Sequence, residues 1–297
     1  MNTFKKYLQS KGMSISTTET YERELMSFIN WCDDQKLEIE YVSYNELMSY
    51  VRKLQVAEIS QRTIEKYLNA VKHYYNWCIT RNIREDNPVR NIDIKGVKRR
   101  KLHHILKHKE LEELYEKYSV TELTEENKHQ SWIKKSALTS KRNKVILGLM
   151  IWQGIKTEEL QKLTIKDIKL REGKVSVPGG RRSNARELEL SSIQMIDLME
   201  YTMQVREQFI EKEEDSLFGI DLKGVMTQIK KKLKSINPNI TGTKQIRASV
   251  ITNWLKLDNL RQVQYKAGHR YVSSTEAYLI NDLDDLTEDV MKFHPFG

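Results

Sequence analysis

Near its C-terminal end the chain carries Lys244-Gln-Ile-Arg247 and, some twenty residues on, Ala267-Gly-His-Arg-Tyr-Val-Ser-Ser-Thr-Glu-Ala-Tyr278. These bring an arginine, a histidine, a lysine and a tyrosine into one short region, a set suited to attack on a phosphodiester. Such a reaction needs a nucleophile whose proton is accepted, stabilisation of the extra charge on phosphorus, and protonation of the departing sugar oxygen. Tyr278 is the candidate nucleophile. The planar fork of Arg247 suits two non-bridging oxygens better than an ammonium would. His269 and Lys244 are placed to stabilise charge and carry protons. A phosphotyrosyl bond keeps the energy of the diester, so rejoining needs no ATP. A set of cations needs no metal, and no cluster of carboxylates for Mg²⁺ stands beside these residues; neither cofactor nor metal is expected.

The elements that must position these groups are mostly helices. Apolar residues recur at helical steps through the first hundred residues. Phe4, Tyr7 and Leu8 mark a short helix, and Tyr21, Leu25, Phe28, Ile29 and Cys32 a second, with Ser16 or Thr17 as cap. Ser43 with Glu46 opens a third helix and Ser60 a fourth, to about Arg81, before Asn87-Pro88 stops the run. Trp31-Cys32 and Trp77-Cys78 look alike; with no further ligand at metal spacing they read as core. Beyond residue 105, helices are expected over 107–118, 142–152, 193–209, 222–236, 246–257 and 260–267, with Thr121–Ser140 as a polar loop. Residues 174–190 alternate with period two around a Gly/Arg/Ser/Asn centre and predict a β-hairpin. A last stripe, Leu283, Leu286, Val290 and Phe293, is apolar on one face. The fold class is mainly α, with a small antiparallel β-sheet in the C-terminal domain (α+β) and an all-helical N-terminal domain. The boundaries read 1–90, a linker over 91–105, and 106–297.

Composition agrees. Gly (12) and Pro (4) are scarce in the 297 residues and charged side chains make up 31%, against about 25% on average, which excludes turn-rich all-β folds. The formal charge is +9, nearly all of the excess beyond residue 97, so a polyanion is the first partner to expect. Lys98, Arg99, Arg100 and Lys101 are candidate DNA-binding residues that would neutralise phosphates without reading sequence. Lys230, Lys231, Lys232 and Lys234 read as a solvated face. The longest apolar run, Val145–Trp152, falls well short of the roughly 20 residues of a membrane span. Two cysteines in apolar stretches and no cleavable leader predict a cytoplasmic protein.

The spacing of Arg247, His269 and Tyr278 resembles the tyrosine recombinase (phage integrase) family. Gln153-Gly-Ile-Lys-Thr-Glu-Glu-Leu160 resembles its first box, Gly-x-Arg-x-x-Glu-Leu, and Arg181 falls where its hairpin carries a catalytic lysine. The resemblance covers nearly the whole chain. It implies a SAM-like core-binding domain, a basic linker, and a catalytic domain with an exchange tail. The implied activity is site-specific cutting and rejoining of double-stranded DNA through a 3′-phosphotyrosine, in a C-shaped clamp within a homotetrameric synapse, with a mobile genetic element as origin. The implied catalytic set is Tyr278, Arg247, His269, Lys244, Lys156 and Arg181.

Two positions depart from the pattern. Lys156 keeps the charge of the family's arginine but not its bidentate geometry, so reduced activity is expected unless Arg142 or Arg182 supplies the fork. Arg181, if it replaces a lysine acid, cannot give up a proton; Lys174 is the other hairpin candidate. These departures leave open a DNA-binding accessory protein of the same fold with weakened or no catalysis. A relaxing topoisomerase or hairpin-forming resolvase would use the same chemistry.

Overall fold

The structure is a computed structural model, described here for residues 2–96, 103–127, 129–210 and 214–279. The chain divides into two compact units, Met1–Lys101 and Leu102–Gly297.

The described residues of the first unit form four α-helices, α1 (Asn2–Ser10), α2 (Ile15–Asp34), α3 (Tyr44–Val56) and α4 (Gln61–Thr80). Their caps explain where they begin. Ser43 Oγ accepts from the Glu46 N–H while the Glu46 carboxylate accepts from the Ser43 N–H at 2.7 Å, a reciprocal capping box. For α2 the cap is Ser14, whose Oγ accepts from the Thr17 N–H at 3.2 Å, not Ser16 or Thr17. In that run several hydroxyls could cap, and the helix begins at the first of them. Helices α2 and α4 face each other across an aromatic core. Phe28 meets the ring of Tyr50 edge-on at 5.0 Å, and the Tyr75 hydroxyl donates to the Ile39 carbonyl at 2.9 Å. Trp31, Cys32 and Cys78 lie inside this core.

The second unit opens with α5 (His108–Glu116) and is organised around α6 (Ser131–Ile151). Val145, Ile146, Leu147, Leu149, Met150 and Ile151 are all buried, so this part of α6 is apolar on every face and must be a central helix. The helix begins well before Arg142, taking in part of the stretch expected to be loop. Its first turns carry no apolar stripe, because Trp132 is 68% exposed and Ala137 is the first buried residue.

The chain then forms α7 (Thr157–Leu160) and a three-stranded antiparallel sheet, β1 (Ile168–Lys169), β2 (Lys174–Val177) and β3 (Arg186–Glu189), in that order. The hairpin is as expected, and the two-residue β1 adds an edge. Val175 pairs with Leu188 and Val177 with Arg186, which puts Arg186 on the buried side of the sheet. Helix α8 (Ser192–Glu200) widens into a π-helical turn, Tyr201–Val205. Then follow α9 (Leu222–Ile236), α10 (Thr243–Leu257), α11 (Leu260–Ala267) and α12 (Ser273–Glu276). The fold is mainly helical with a small antiparallel sheet in the second unit. Among the described residues no helix is long and apolar enough to cross a membrane.

Burial pushes the Cys32 thiol up to about 12 and raises Cys78 as well. Since the thiolate is the reactive form, a water-soluble disulfide reagent should leave both cysteines unmodified in the folded protein and label both in denaturant. Rapid native labelling of either would show that the core between α2 and α4 opens.

Candidate active site

A glycine lies just beyond the end of helix α6. Gly154 has φ of +57°, and a β-carbon there would meet Val250 and Trp254 of α10 at 3.2 Å. The glycine therefore lets the chain turn hard against α10, where its carbonyl accepts from Arg247 Nη1. Gln153 fixes the turn from the other side, donating to the Glu189 carbonyl at 2.8 Å. Lys156 precedes α7, and its backbone N–H donates to Glu159 at 2.9 Å.

Glu159 is buried and meets Arg186 of β3 in a two-pronged pair, Nη1 to Oε1 at 3.0 Å and Nη2 to Oε2 at 2.9 Å. Burial alone would raise the Glu159 pKa, but the hydrogen bonds and charge of Arg186 outweigh it and hold the carboxyl below its ordinary value. The third nitrogen of Arg186, Nε, donates to the Lys266 carbonyl at 2.8 Å. Its fork is fully engaged and is not free for a substrate.

Lys266 and Ala267 end α11, whose last turn closes as a Schellman motif. Gly268 N–H donates to Tyr265 O at 2.9 Å and His269 N–H to Gln264 O at 3.0 Å. Two carbonyls left over at this negative helix end are taken by guanidiniums, Lys266 by Arg186 and Ala267 by Arg247 Nη2 at 2.6 Å. Gly268, with φ of +64°, is required twice. It supplies the left-handed turn, and a β-carbon there would stand 2.9 Å from Arg186 Cζ.

Arg247 is buried, and its Nε has no hydrogen-bond partner among the described residues. Nη2 also lies 3.4 Å from His269 Nε2. Burial lowers the Arg247 pKa, against which Glu159 and the nearby Tyr278 hydroxyl act. His269 is held at its other nitrogen by Thr275 Oγ1, 2.9 Å from Nδ1, and its ring stacks on that of Tyr278 with centroids 5.7 Å apart and planes at 14°. Burial first, then Arg247, Lys156 and Arg186, push the His269 pKa down to about 4, so the imidazole is neutral at neutral pH. Lys156 is lowered by burial and by Arg247. The pocket thus gathers three cations, one carboxylate already paired to one of them, a neutral imidazole and a phenol. The surplus positive charge suits an anion whose charge is spread over several oxygens.

Of the residues named from sequence, Arg247, His269, Tyr278 and Lys156 come together here. Lys244 is exposed on the first turn of α10, one turn before Arg247. Arg181 is exposed in the hairpin loop, which is tied to the site through its backbone. Ser183 bridges His269, Asn184 N–H donates to Gly268 O at 3.1 Å, and Arg270 Nη1 donates to Arg181 O at 3.3 Å. Lys174 pairs with Glu187 at 3.0 Å, on the strand and away from the hairpin loop.

Arg142 does not supply a fork. It is buried elsewhere, bonded to Asn143 Oδ1 at 2.9 Å and lying 4.9 Å over the Phe209 ring. Arg182 is exposed at the hairpin. Lys230, Lys231 and Lys234 are exposed on α9, while Lys232 leans over the Tyr118 ring at 4.6 Å. The linker cations Lys98, Arg99, Arg100 and Lys101 and the stripe Leu283, Leu286, Val290 and Phe293 lie outside the described residues.

Sequence reasoning missed Arg186 and Thr275. For Arg186 a signal existed: it shares a strand face with Leu188, and an arginine on a buried face needs an anion.

Residues 1–82 match the family model described as the N-terminal SAM-like domain of phage integrase, and residues 105–283 match that of the phage integrase family. The chain is similar to the tyrosine recombinase XerD of Oceanobacillus iheyensis, 26% identical over 303 residues that cover 96% of this chain and 94% of that protein. It is also similar to XerC of the same organism, 24% identical with 99% and 95% covered. Among solved structures, the XerH site-specific recombinase bound to palindromic difH substrate in a post-cleavage complex matches with a TM-score of 0.70. The identity there is 20%, with 94% of this chain and 80% of that chain covered, a likeness of fold.

The depressed His269 pKa has a consequence for stability. Between the ordinary 6.5 and the folded value of about 4, the unfolded chain binds a proton that the folded chain does not, so stability falls as pH drops through that window. From pH 7 to pH 5 the loss attributable to His269 should be about 2 kcal/mol. Urea denaturation of wild type and His269→Gln at both pH values checks this: the variant should lose less. Equal losses would mean that His269 is not held neutral.

Proposed function

We propose that this chain, which belongs to the phage integrase family and is a site-specific DNA recombinase, breaks and rejoins DNA through a covalent bond between Tyr278 and a 3′ phosphate. The observation that carries this reading is the stacking of Tyr278 on His269 against the buried guanidinium of Arg247, within one chain.

In the forward step the Tyr278 oxygen bonds to phosphorus and the bond from phosphorus to the 5′ oxygen breaks. The phenol gives up its proton and the 5′ oxygen takes one up, and rejoining reverses both. Arg247 holds non-bridging oxygens. Its Nε, buried without a hydrogen-bond partner among the described residues, would gain in a phosphate oxygen the acceptor it lacks. His269 offers Nε2 as an acceptor. A bound diester anion would raise its pKa from about 4 toward the ordinary range, because an opposite charge favours the protonated form. Lys156 adds charge without a fork. Lys244 and Arg181, both exposed, can close on bound DNA; Arg181 stabilises the leaving oxygen by charge, since a guanidinium is not deprotonated.

Double-stranded DNA is the partner, and the linker cations Lys98, Arg99, Arg100 and Lys101 are read as phosphate contacts. The N-terminal unit, with its helical SAM-like match, is read as the core-binding domain. Exchange between two duplexes breaks four strands and each chain supplies one Tyr278, so the working assembly is read as a tetramer on paired sites.

Incubation with nicked duplexes from the DNA flanking its own gene, followed by denaturing gels, tests the nucleophile. Wild type should give protein-linked DNA and Tyr278→Phe none. Salt-sensitive binding without an adduct would instead mean an accessory DNA-binding protein of this fold. In the same assay Lys156→Ala should slow cleavage by on the order of 10²–10³, and Lys156→Arg, which restores the fork, should speed it by about tenfold. No gain with arginine would show that the ammonium is the group the reaction uses.

A further inference from the structure

Thr275 touches both His269 and Tyr278 and has no part in the catalytic set. It is fully buried, and its hydroxyl is 2.9 Å from His269 Nδ1. Its carbonyl accepts from the Tyr278 backbone N–H at 3.0 Å. One residue thus holds the histidine by its side chain and the tyrosine by its main chain, and the two rings it holds are stacked on each other.

The protonation pattern of the imidazole follows from its neighbours. Arg247 Nη2, 3.4 Å from Nε2, has only hydrogens to offer, so Nε2 must present its lone pair. A neutral imidazole carries one N–H, which must then sit on Nδ1, and the group there to receive it is the Thr275 oxygen. Without that oxygen the proton would be buried unpaired on Nδ1, and its other location, Nε2, would face a guanidinium donor.

We propose that Thr275 is a positioning residue that fixes His269 in the Nδ1–H tautomer, with Nε2 as the acceptor that faces Arg247, and that sets the spacing of His269 from Tyr278. This rests on the reading of Tyr278 as nucleophile for its catalytic consequence, but not for the tautomer itself.

The test has two arms. Nitrogen-15 NMR of the histidine side chains at neutral pH, with His269 assigned by comparison with His269→Gln, should show Nδ1 protonated and Nε2 bare in wild type and in Thr275→Ser. Thr275→Val, which keeps the shape and removes the hydroxyl, should lose that pattern. In covalent trapping on nicked duplexes Thr275→Val should slow adduct formation on the order of tenfold. Thr275→Ser should stay within about twofold of wild type, and DNA binding should be unchanged in both. An Nε2–H tautomer in wild type, an unchanged tautomer in Thr275→Val, or equal impairment by serine and valine would overturn the proposal. Absence of any adduct in wild type would overturn the nucleophile assignment, while the NMR arm would still decide the role of Thr275.

Discussion

Arg186, through its pairing with Glu159 and its bond to the Lys266 carbonyl, joins three elements that are distant in sequence: strand β3, the short helix α7, and the C-terminal end of α11. Both charges are out of water, so much of their attraction is offset by lost hydration, and the pair is not a large net source of stability. Its effect is on geometry. Removing one partner would strand a buried charge, at about 3–5 kcal/mol, so the three elements keep one arrangement. The pair also engages both oxygens of Glu159, the buried carboxylate that stands beside Arg247 and Lys156. Glu159 still acts on both through space, but its hydrogen bonds go to Arg186 and to the Lys156 main chain.

The end of α11 serves the same arrangement. A helix ends with carbonyls that lack partners and a partial negative charge. Here one such carbonyl anchors Arg186 and the next anchors Arg247, while the Schellman turn sends the chain on to His269. Two arginines from β3 and α10 are set beside each other by main-chain acceptors, so mutual repulsion does not drive them apart. A glycine is needed at 268 because the left-handed turn and the guanidinium occupy the same small space.

Much of this was legible in the sequence, for a reason that can be stated residue by residue. Capping signals such as Ser43 with Glu46 are local, and the helical periods after them are long. The joint spacing of Arg247, His269 and Tyr278 spans a short stretch whose elements succeed each other directly. What was not legible depended on tertiary placement. The first turns of α6 have no apolar stripe to announce them, because they are solvated. Arg142, a plausible guanidinium by type, packs on Phe209 instead. The partnership of Arg186 with Glu159 joins a strand to the short helix α7, and no local pattern pairs the two. Thr275 is one hydroxyl in Ser-Ser-Thr, and only burial distinguishes it.

Lys156 contributes to this scaffold through its main chain, whose N–H is bonded to Glu159, while its ammonium forms no ion pair with a described residue's carboxylate. The bond that position 156 gives the scaffold is thus made by the main chain, which lysine and arginine share. Each lysine codon is one base from an arginine codon, so a lineage can cross between the two residues in one step. On the proposed reading, one base change at this position would alter turnover while leaving the main-chain bond to Glu159 in place.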